Sequence, residues 1–169
     1  MGRISTKENK TVYQVAREKL NLSREGAADV TGLEPYRIER IENEKIPPEP
    51  EDVLAMAEAY GDPHLCNYFC ANECPIGGKK CVSEIKMRDL SQVVLEILAS
   101  LNSMKREQER LIEITADGSI ENDELEDFVR IQRELAHIST TVEALRLWSE
   151  KKIADGKIDM KRYKELIRK

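Results

Sequence analysis

Apolar residues recur at intervals of three and four along almost the whole chain, and runs of β-branched residues are absent. This spacing places apolar side chains on one face of an α-helix, whereas a strand would need alternation. The sequence therefore predicts an all-α fold. The 169 residues are 40% apolar and 35% charged, which allows one compact domain or two small ones.

Helix-breaking residues divide the chain into two parts. Up to about residue 62, prolines and glycines limit the predicted helices to short segments, whereas from residue 89 onward the segments are long. All four cysteines lie between the two parts. We predict a flexible N-terminus at 1–10, a domain of short helices at 11–74, a cysteine- and glycine-containing linker at 75–88, and a helical hairpin with a short terminal helix at 89–169.

The short-helix part is predicted to contain five helices. They are expected at Thr11 to Leu20, Arg24 to Thr31, Pro35 to Asn43, Glu51 to Tyr60, and Asp62 to about Cys74, followed by a turn at Pro75 to Gly78. Ser23 is a good N-cap and Gly32 can supply the positive φ that ends a helix. The second and third helices, joined at this glycine, match the helix-turn-helix arrangement, whose second helix enters the major groove of DNA.

Four segments carry a resemblance to a known family: AREKLNLS at 16–23, REGAADVTGL at 24–33, EPYRIERIENEK at 34–45 and VLAMAEAYG at 53–61. From Val15 to Gly61 the chain resembles a helix-turn-helix domain of the Xre type, related to the phage lambda repressor and Cro. The resemblance implies a five-helix, lambda-repressor-like DNA-binding domain. It also implies an ion pair between Arg17 and Glu42, and core positions at Leu33, Ile38 and Ile41.

The resemblance places the contact with double-stranded DNA on the second and third helices. Glu34, Tyr36 and Arg37 open the recognition helix, where Arg37 suits guanine and Tyr36 suits stacking or a thymine methyl group. The remaining members of the predicted set are suited to phosphates. The full set of predicted DNA-binding residues is Arg24, Glu34, Tyr36, Arg37, Arg40, Asn43 and Lys45.

The acidic residues of the chain oppose indiscriminate DNA binding. With 27 basic and 32 acidic side chains, the net charge is −5, so any nucleic-acid contact must use a local patch. Glu34, Glu39 and Glu44 lie on or near the predicted DNA face and would repel phosphates. Glu34 stands where the family usually has a small polar residue, and Glu44 where it has a turn glycine. An alternative function therefore stays open, in which the fold binds a protein partner, as in an antitoxin or adaptor.

The four cysteines run as C-x3-C-x3-C-x6-C at Cys66, Cys70, Cys74 and Cys81. Helical spacing puts the first three on one face, so a zinc or iron–sulfur site is conceivable. The tight C-x2-C pair typical of zinc sites is missing, which favours cysteines that serve only as small core residues. We expect no metal and no cofactor, and a metal- or redox-sensing regulator is the second alternative.

The C-terminal half contains two heptad patterns that predict a long antiparallel helical hairpin. The first runs through Leu90, Val94, Ile97, Leu101, Met104, Gln108, Leu111 and Thr115. The second runs through Leu125, Phe128, Ile131 or Gln132, Leu135, Ile138, Val142, Leu145 and Trp148. Such a hairpin leaves an apolar stripe, which predicts a homodimer through residues 89–150. Burial of the stripe on the N-terminal domain, or by the helix of a partner protein, is the alternative.

Two Asp-Gly pairs, at 117–118 and 155–156, indicate helices that end at a glycine C-cap. In the second, IADGKID, the following acid predicts an N-cap for a terminal helix. No nucleophile with a base, phosphate-binding glycine loop or carboxylate pair is evident, so an enzyme is not expected. No apolar stretch suits a membrane span or a signal peptide, so a cytoplasmic protein without membrane contact is expected. The predicted function is a dimeric, sequence-specific transcriptional regulator, a repressor, whose effector the sequence does not indicate.

Overall fold

The computed structural model describes residues 10–79, 82–86 and 88–167. All regular secondary structure in this part of the chain is helical and it contains no strand, so the all-α class is confirmed. The helices are α1 (Val12–Lys19), α2 (Arg24–Thr31), α3 (Pro35–Glu42), α4 (Pro50–Tyr60), α5 (His64–Asn72), α6 (Pro75–Lys79), α7 (Leu90–Thr115), α8 (Leu125–Ala154) and α9 (Met160–Ile167). The predicted flexible segment, apart from Lys10, lies outside the described residues.

The chain divides into two compact units. One comprises the chain through Glu84 together with the chain from Glu150 onward, and the other comprises Ile85–Ser149. Within the first unit, the Nζ atom of Lys151 donates a hydrogen bond of 2.9 Å to the carbonyl oxygen of Gly61 at the end of α4. The C-terminal segment therefore contacts the short-helix domain. The helical periodicity of the sequence alone did not indicate this contact.

The ends of α1 and α2 follow from local side-chain chemistry. The Oγ1 atom of Thr11 accepts a hydrogen bond from the backbone N–H of Gln14, and the Oγ atom of Ser23 accepts one from Gly26. Each bond satisfies a backbone donor that the first turn of a helix leaves unpaired. Gly32 has φ +73° and ends α2 in the left-handed conformation, which sets the angle at which α3 begins.

The core of the first unit is built from apolar side chains of α1 to α5. Ile38 is fully buried and Ile41 is 2% exposed, while Leu33 packs at the edge of the same cluster, as the family resemblance implied. Ala27 is also fully buried. The buried residues of this core are Tyr13, Ala16, Ala27, Ile38, Ile41, Val53, Met56, Ala57, Tyr60, Leu65 and Phe69. This packing fixes α2 and α3 as one rigid motif.

The region after α5 differs from the prediction. The helix ends at Asn72, so Cys74 lies beyond it, and Pro75 begins the short helix α6 where a turn was predicted. Proline suits the first turn of a helix because no intrahelical bond needs its missing N–H. A Cβ at Gly77 would lie 1.8 Å from the carbonyl oxygen of Cys70, so glycine is required for α6 to approach α5.

The second unit is the predicted helical hairpin, in which α7 and α8 pack against each other. Interhelical ion pairs join Arg110 to Asp127 at 2.7 Å and Arg130 to Glu107 at 2.9 Å. The buried positions of α7 are Val93, Ser100 and Ile114, and those of α8 are Ile131, Thr141 and Leu147.

On α7, some of the buried residues lie one position before the residues of the predicted heptad pattern. Val93 is 1% exposed, whereas its neighbour Val94 is 39% exposed and Leu101 is 51% exposed. Adjacent apolar residues allow two registers about 100° apart on a helix, and heptad spacing alone does not choose between them. Several apolar residues of the predicted heptad pattern are therefore exposed to solvent in the single chain.

The terminal helix begins as its sequence predicts. Gly156 has φ +67° after the end of α8. The Oδ1 atom of Asp159 then accepts hydrogen bonds of 3.0 and 3.2 Å from the backbone N–H groups of Lys161 and Arg162. Among the described residues, no helix combines the length and the hydrophobicity needed to cross a bilayer.

Candidate nucleic-acid interface

A buried ion pair holds α3 against α1. The guanidinium of Arg17 donates to both carboxylate oxygens of Glu42, with distances of 2.5 Å from Nε and 2.9 Å from Nη2. Its Nη1 atom donates to the carbonyl oxygen of Leu22. Arg17 is 6% exposed and Glu42 is 3% exposed. The structural ion pair implied by the resemblance is therefore confirmed, and these residues belong to the scaffold behind α3.

Arg24, predicted to contact a phosphate, is the third member of this cluster. Its Nε atom donates a hydrogen bond of 2.9 Å to the Oε2 atom of Glu42. A third of its side chain remains exposed at the beginning of α2. The residue thus joins α2 to α3 while part of its side chain stays at the surface.

Arg37, predicted to contact guanine, makes a bidentate ion pair with α4. Its Nε and Nη2 atoms lie 2.6 Å from the two carboxylate oxygens of Asp52, and Nη2 lies 3.2 Å from Glu49. The bond to Asp52 raises the pKa of Arg37. Burial raises the pKa of Asp52, but the bond and charge of Arg37, together with the backbone bond from Glu49, outweigh burial and lower it. The two N–H groups of Arg37 that could donate to guanine are therefore bound to Asp52 of α4 in this structure.

Tyr36 and Arg40 form the most prominent pair on the outer face of α3. Tyr36 is 67% exposed, although it is a large aromatic residue on a short helix. The Cζ atom of Arg40, one turn later, lies 5.6 Å from the centre of the tyrosine ring. This distance permits a cation–π contact, which holds the ring and the positive charge together at the surface.

The other predicted residues lie at the two ends of α3. Glu34 is the exposed N-cap residue of α3 but makes no side-chain cap bond, and Asn43 is the C-cap residue. Glu44, which follows, has φ +56°, a conformation that favours glycine. Lys45 is exposed, and its backbone N–H donates to the carbonyl oxygen of Arg40. Exposed charges of both signs therefore flank the Tyr36–Arg40 pair.

The sequence did not point to Asp52, an acidic residue important for this surface. Asp52 binds Arg37 and also accepts a hydrogen bond of 2.7 Å from the backbone N–H of Glu49 at the start of α4. The signal was present as an acid at the third position of a helix that opens with Pro50, which is typical of an N-terminal cap. Its pairing with α3 across the proline segment is a tertiary contact that this local pattern does not contain.

The three cysteines that the structure describes form no evident metal site. Cys66 and Cys74 are partly buried beside the core, whereas Cys70 is exposed. Burial raises the pKa of the Cys66 thiol, and nearby groups including Cys70 raise it further, so the reactive thiolate is disfavoured. Among the described residues, no group of three or more His, Cys, Asp or Glu side chains is arranged to hold a metal ion. Cys81 lies outside them.

The match to a protein-family model agrees with this geometry. A model described as "Helix-turn-helix domain" matches residues 14–64, from within α1 to the first residue of α5. Residues 14–64 form a helix-turn-helix domain. No curated protein and no solved structure matches the chain. The helix-turn-helix domain places Tyr36, Arg37 and Arg40 on its second motif helix, which is the helix that such domains use for DNA recognition.

Proposed function

We propose that the protein is a sequence-specific DNA-binding transcriptional regulator of the Xre type, and that α3 enters the major groove. The observation that carries this proposal is the exposed Tyr36 ring, with Arg40 over it, on the second helix of the helix-turn-helix motif. A large exposed aromatic residue beside a cation is suited to base edges and phosphates together. A protein bound to promoter DNA in this way would repress transcription.

The individual contacts follow from what each side chain already binds. Tyr36 faces solvent and is assigned to the bases, whereas the exposed Lys45 and the partly exposed Arg24 are assigned to phosphates. Arg37 is held by Asp52, so we assign it to orienting α3 on α4 rather than to direct contact with guanine. This assignment makes Arg37 a positioning residue.

We further propose that the regulator is a homodimer formed through residues 89–150. On α7, Val94, Leu98 and Leu101 follow helical spacing and are 39%, 52% and 51% exposed. Exposed apolar stripes of this kind are typical of interaction surfaces. A two-fold dimer presents two recognition helices, as required for half-sites one turn, about 34 Å, apart on DNA.

The test begins with selection of bound DNA from a random pool, followed by anisotropy titrations of the selected sequence. We expect Tyr36→Ala and Arg40→Ala each to weaken binding by roughly tenfold or more, the value of a lost base or phosphate contact. The matched control, Glu58→Ala, changes an exposed residue of α4 outside the motif and should bind as the wild type does. Failure to enrich any sequence, or equal affinity of all four proteins, would contradict the proposal.

A second candidate function, a protein-interaction module, is favoured by the acidic character of the same surface. Glu34 is exposed at the start of α3, and two arginines of the predicted DNA set are already paired with carboxylates. The double variant Tyr36→Ala/Arg37→Ala distinguishes the candidates. It should abolish DNA binding if the regulator proposal is correct, whereas an interaction module would keep its protein partner.

A further inference from the structure

A cleft of about 420 Å³ opens in the first unit, behind the helix-turn-helix surface. Its walls come from α1, the last turn of α3, the proline segment that follows α3, and α5. This volume lies within the range of about 300 to 1,000 Å³ that is typical of small-molecule sites. Neither DNA contact nor dimer formation, as proposed above, uses this cleft.

Aromatic and apolar residues form part of the cleft wall. The rings of Tyr13 and Tyr68 meet edge to face, with centres 6.2 Å apart and an angle of 85° between their planes. Pro47 and Pro48 extend this wall. Aromatic faces attract cations and also pack against the apolar part of a ligand.

Two residues with exposed carboxylates also line the cleft. Glu44 and Glu73 both line it, and in the part of the chain that the structure describes neither forms a salt bridge. The hydroxyl of Tyr13 donates a hydrogen bond of 2.8 Å to the Oε2 atom of Glu73. Lys10 also lines the cleft, but its ammonium group lies 2.7 Å from Glu18. The cleft is therefore lined both by aromatic rings and by carboxylates that form no salt bridge within the described residues.

The charge of Glu44 acts on the carboxyl group of Glu73. Partial burial raises the pKa of Glu73, the bond from Tyr13 opposes this rise, and the negative charge of Glu44 adds to it. A positive charge beside Glu73 would offset the charge of Glu44 and favour the ionised form of Glu73. The same cation would gain from the neighbouring aromatic rings.

We propose that this cleft binds a small organic ammonium ion, with its charged nitrogen between Glu44 and Glu73 and its apolar body against Tyr68 and the prolines. Ile41, in the last turn of α3, also lines the cleft. Occupancy is thus positioned to affect how α3 meets DNA. That consequence rests on the proposed function, whereas the binding site itself does not.

The test is calorimetric titration of the full chain with phenethylammonium chloride in the absence of DNA. We expect one site per chain and no binding of phenylacetate, which has a similar body and the opposite charge. The double variant Glu44→Gln/Glu73→Gln keeps the size of both side chains and should weaken binding at least about tenfold. The control Glu58→Gln removes an exposed carboxylate outside the cleft and should bind as the wild type does.

Amide chemical-shift mapping on the wild-type protein gives a second test that does not depend on the folding of a variant. The largest shifts on addition of phenethylammonium should fall at Tyr13, Glu44, Tyr68 and Glu73. The proposal is overturned by shifts centred elsewhere, by equal binding of phenylacetate, or by full affinity in the double variant. Absence of binding at about 10 mM, well above a Kd of roughly 1 mM, would overturn it too. Since DNA is absent, these results leave the proposed DNA function untouched.

Discussion

At the scale of single residues, buried charge governs how α3 is held. Glu42 accepts hydrogen bonds from Arg17 and Arg24, so one carboxylate on α3 receives donors from α1 and α2. Burial lowers the pKa of Arg17, but the bond and the charge of Glu42, with smaller contributions from Glu18 and Tyr60, together outweigh this effect and raise it. A carboxylate satisfied in this way is stable, whereas either partner alone would be an unpaired buried charge.

Removal of one partner of this pair should destabilise the protein strongly. For Arg17→Met we expect the free energy of unfolding to fall by about 3 to 5 kcal/mol, because Glu42 would remain buried with only Arg24 as a cationic partner. Urea denaturation measures the change. The double variant Arg17→Met/Glu42→Leu should recover much of the loss, and an equally unstable double variant would show that packing, not charge, is responsible.

The Arg37–Asp52 pair predicts a dependence of stability on pH. The pKa of Asp52 is lowered in the folded protein, so its contribution is complete above its unfolded pKa of about 3.9 and is lost as the pH falls through the folded value. Asp52→Asn should reduce the free energy of unfolding near pH 7 by about 1 kcal/mol from the helix cap alone. The difference from wild type should shrink below about pH 4. A constant difference across this range would contradict the assignment.

At the scale of elements, local chemistry was predictable from residue types, whereas tertiary contacts were predictable only where the family resemblance implied them, as for Arg17 and Glu42. Ser23 and Gly32 set the ends of α2 as their residue types indicate, and Asp159 begins α9 in the same way. The pairing of Arg37 with Asp52 escaped prediction because it joins two helices across a proline segment. Helix α6 was missed because Pro75 was interpreted as a break, while the close approach of Gly77 to α5 is visible only in three dimensions.

The hairpin should owe its stability to apolar packing rather than to its ion pairs. Ile131 is fully buried on α8, whereas the side chain of its neighbour Arg130 is 52% exposed and pairs with Glu107. Ile131→Ala should lower the free energy of unfolding by about 2 to 5 kcal/mol. Arg130→Ala, the matched control on the same helix, should hardly change it because water screens exposed pairs. Equal losses in thermal unfolding would refute this view of the hairpin.

At the scale of the whole molecule, the apolar residues left exposed on α7 predict self-association. Leu98→Glu and Leu101→Glu each place a charge on this face, at positions that are 52% and 51% exposed in the single chain. We expect a dimer for the wild type and a monomer with unchanged helicity for each variant, by light scattering and circular dichroism. Val30→Glu, at an exposed position of α2, is the control and should remain dimeric. A monomeric wild type would rule out the dimer.

The salt dependence of DNA affinity tests the central claim, that α3 binds in the groove of DNA, most directly. With the selected DNA, the logarithm of the association constant should fall linearly with the logarithm of salt concentration, because phosphate contacts release counterions. Lys45→Ala should reduce the slope by about 1 while Tyr36→Ala should lower the affinity with little change in slope. A slope near zero for the wild type, or identical titrations for all three proteins, would contradict the account.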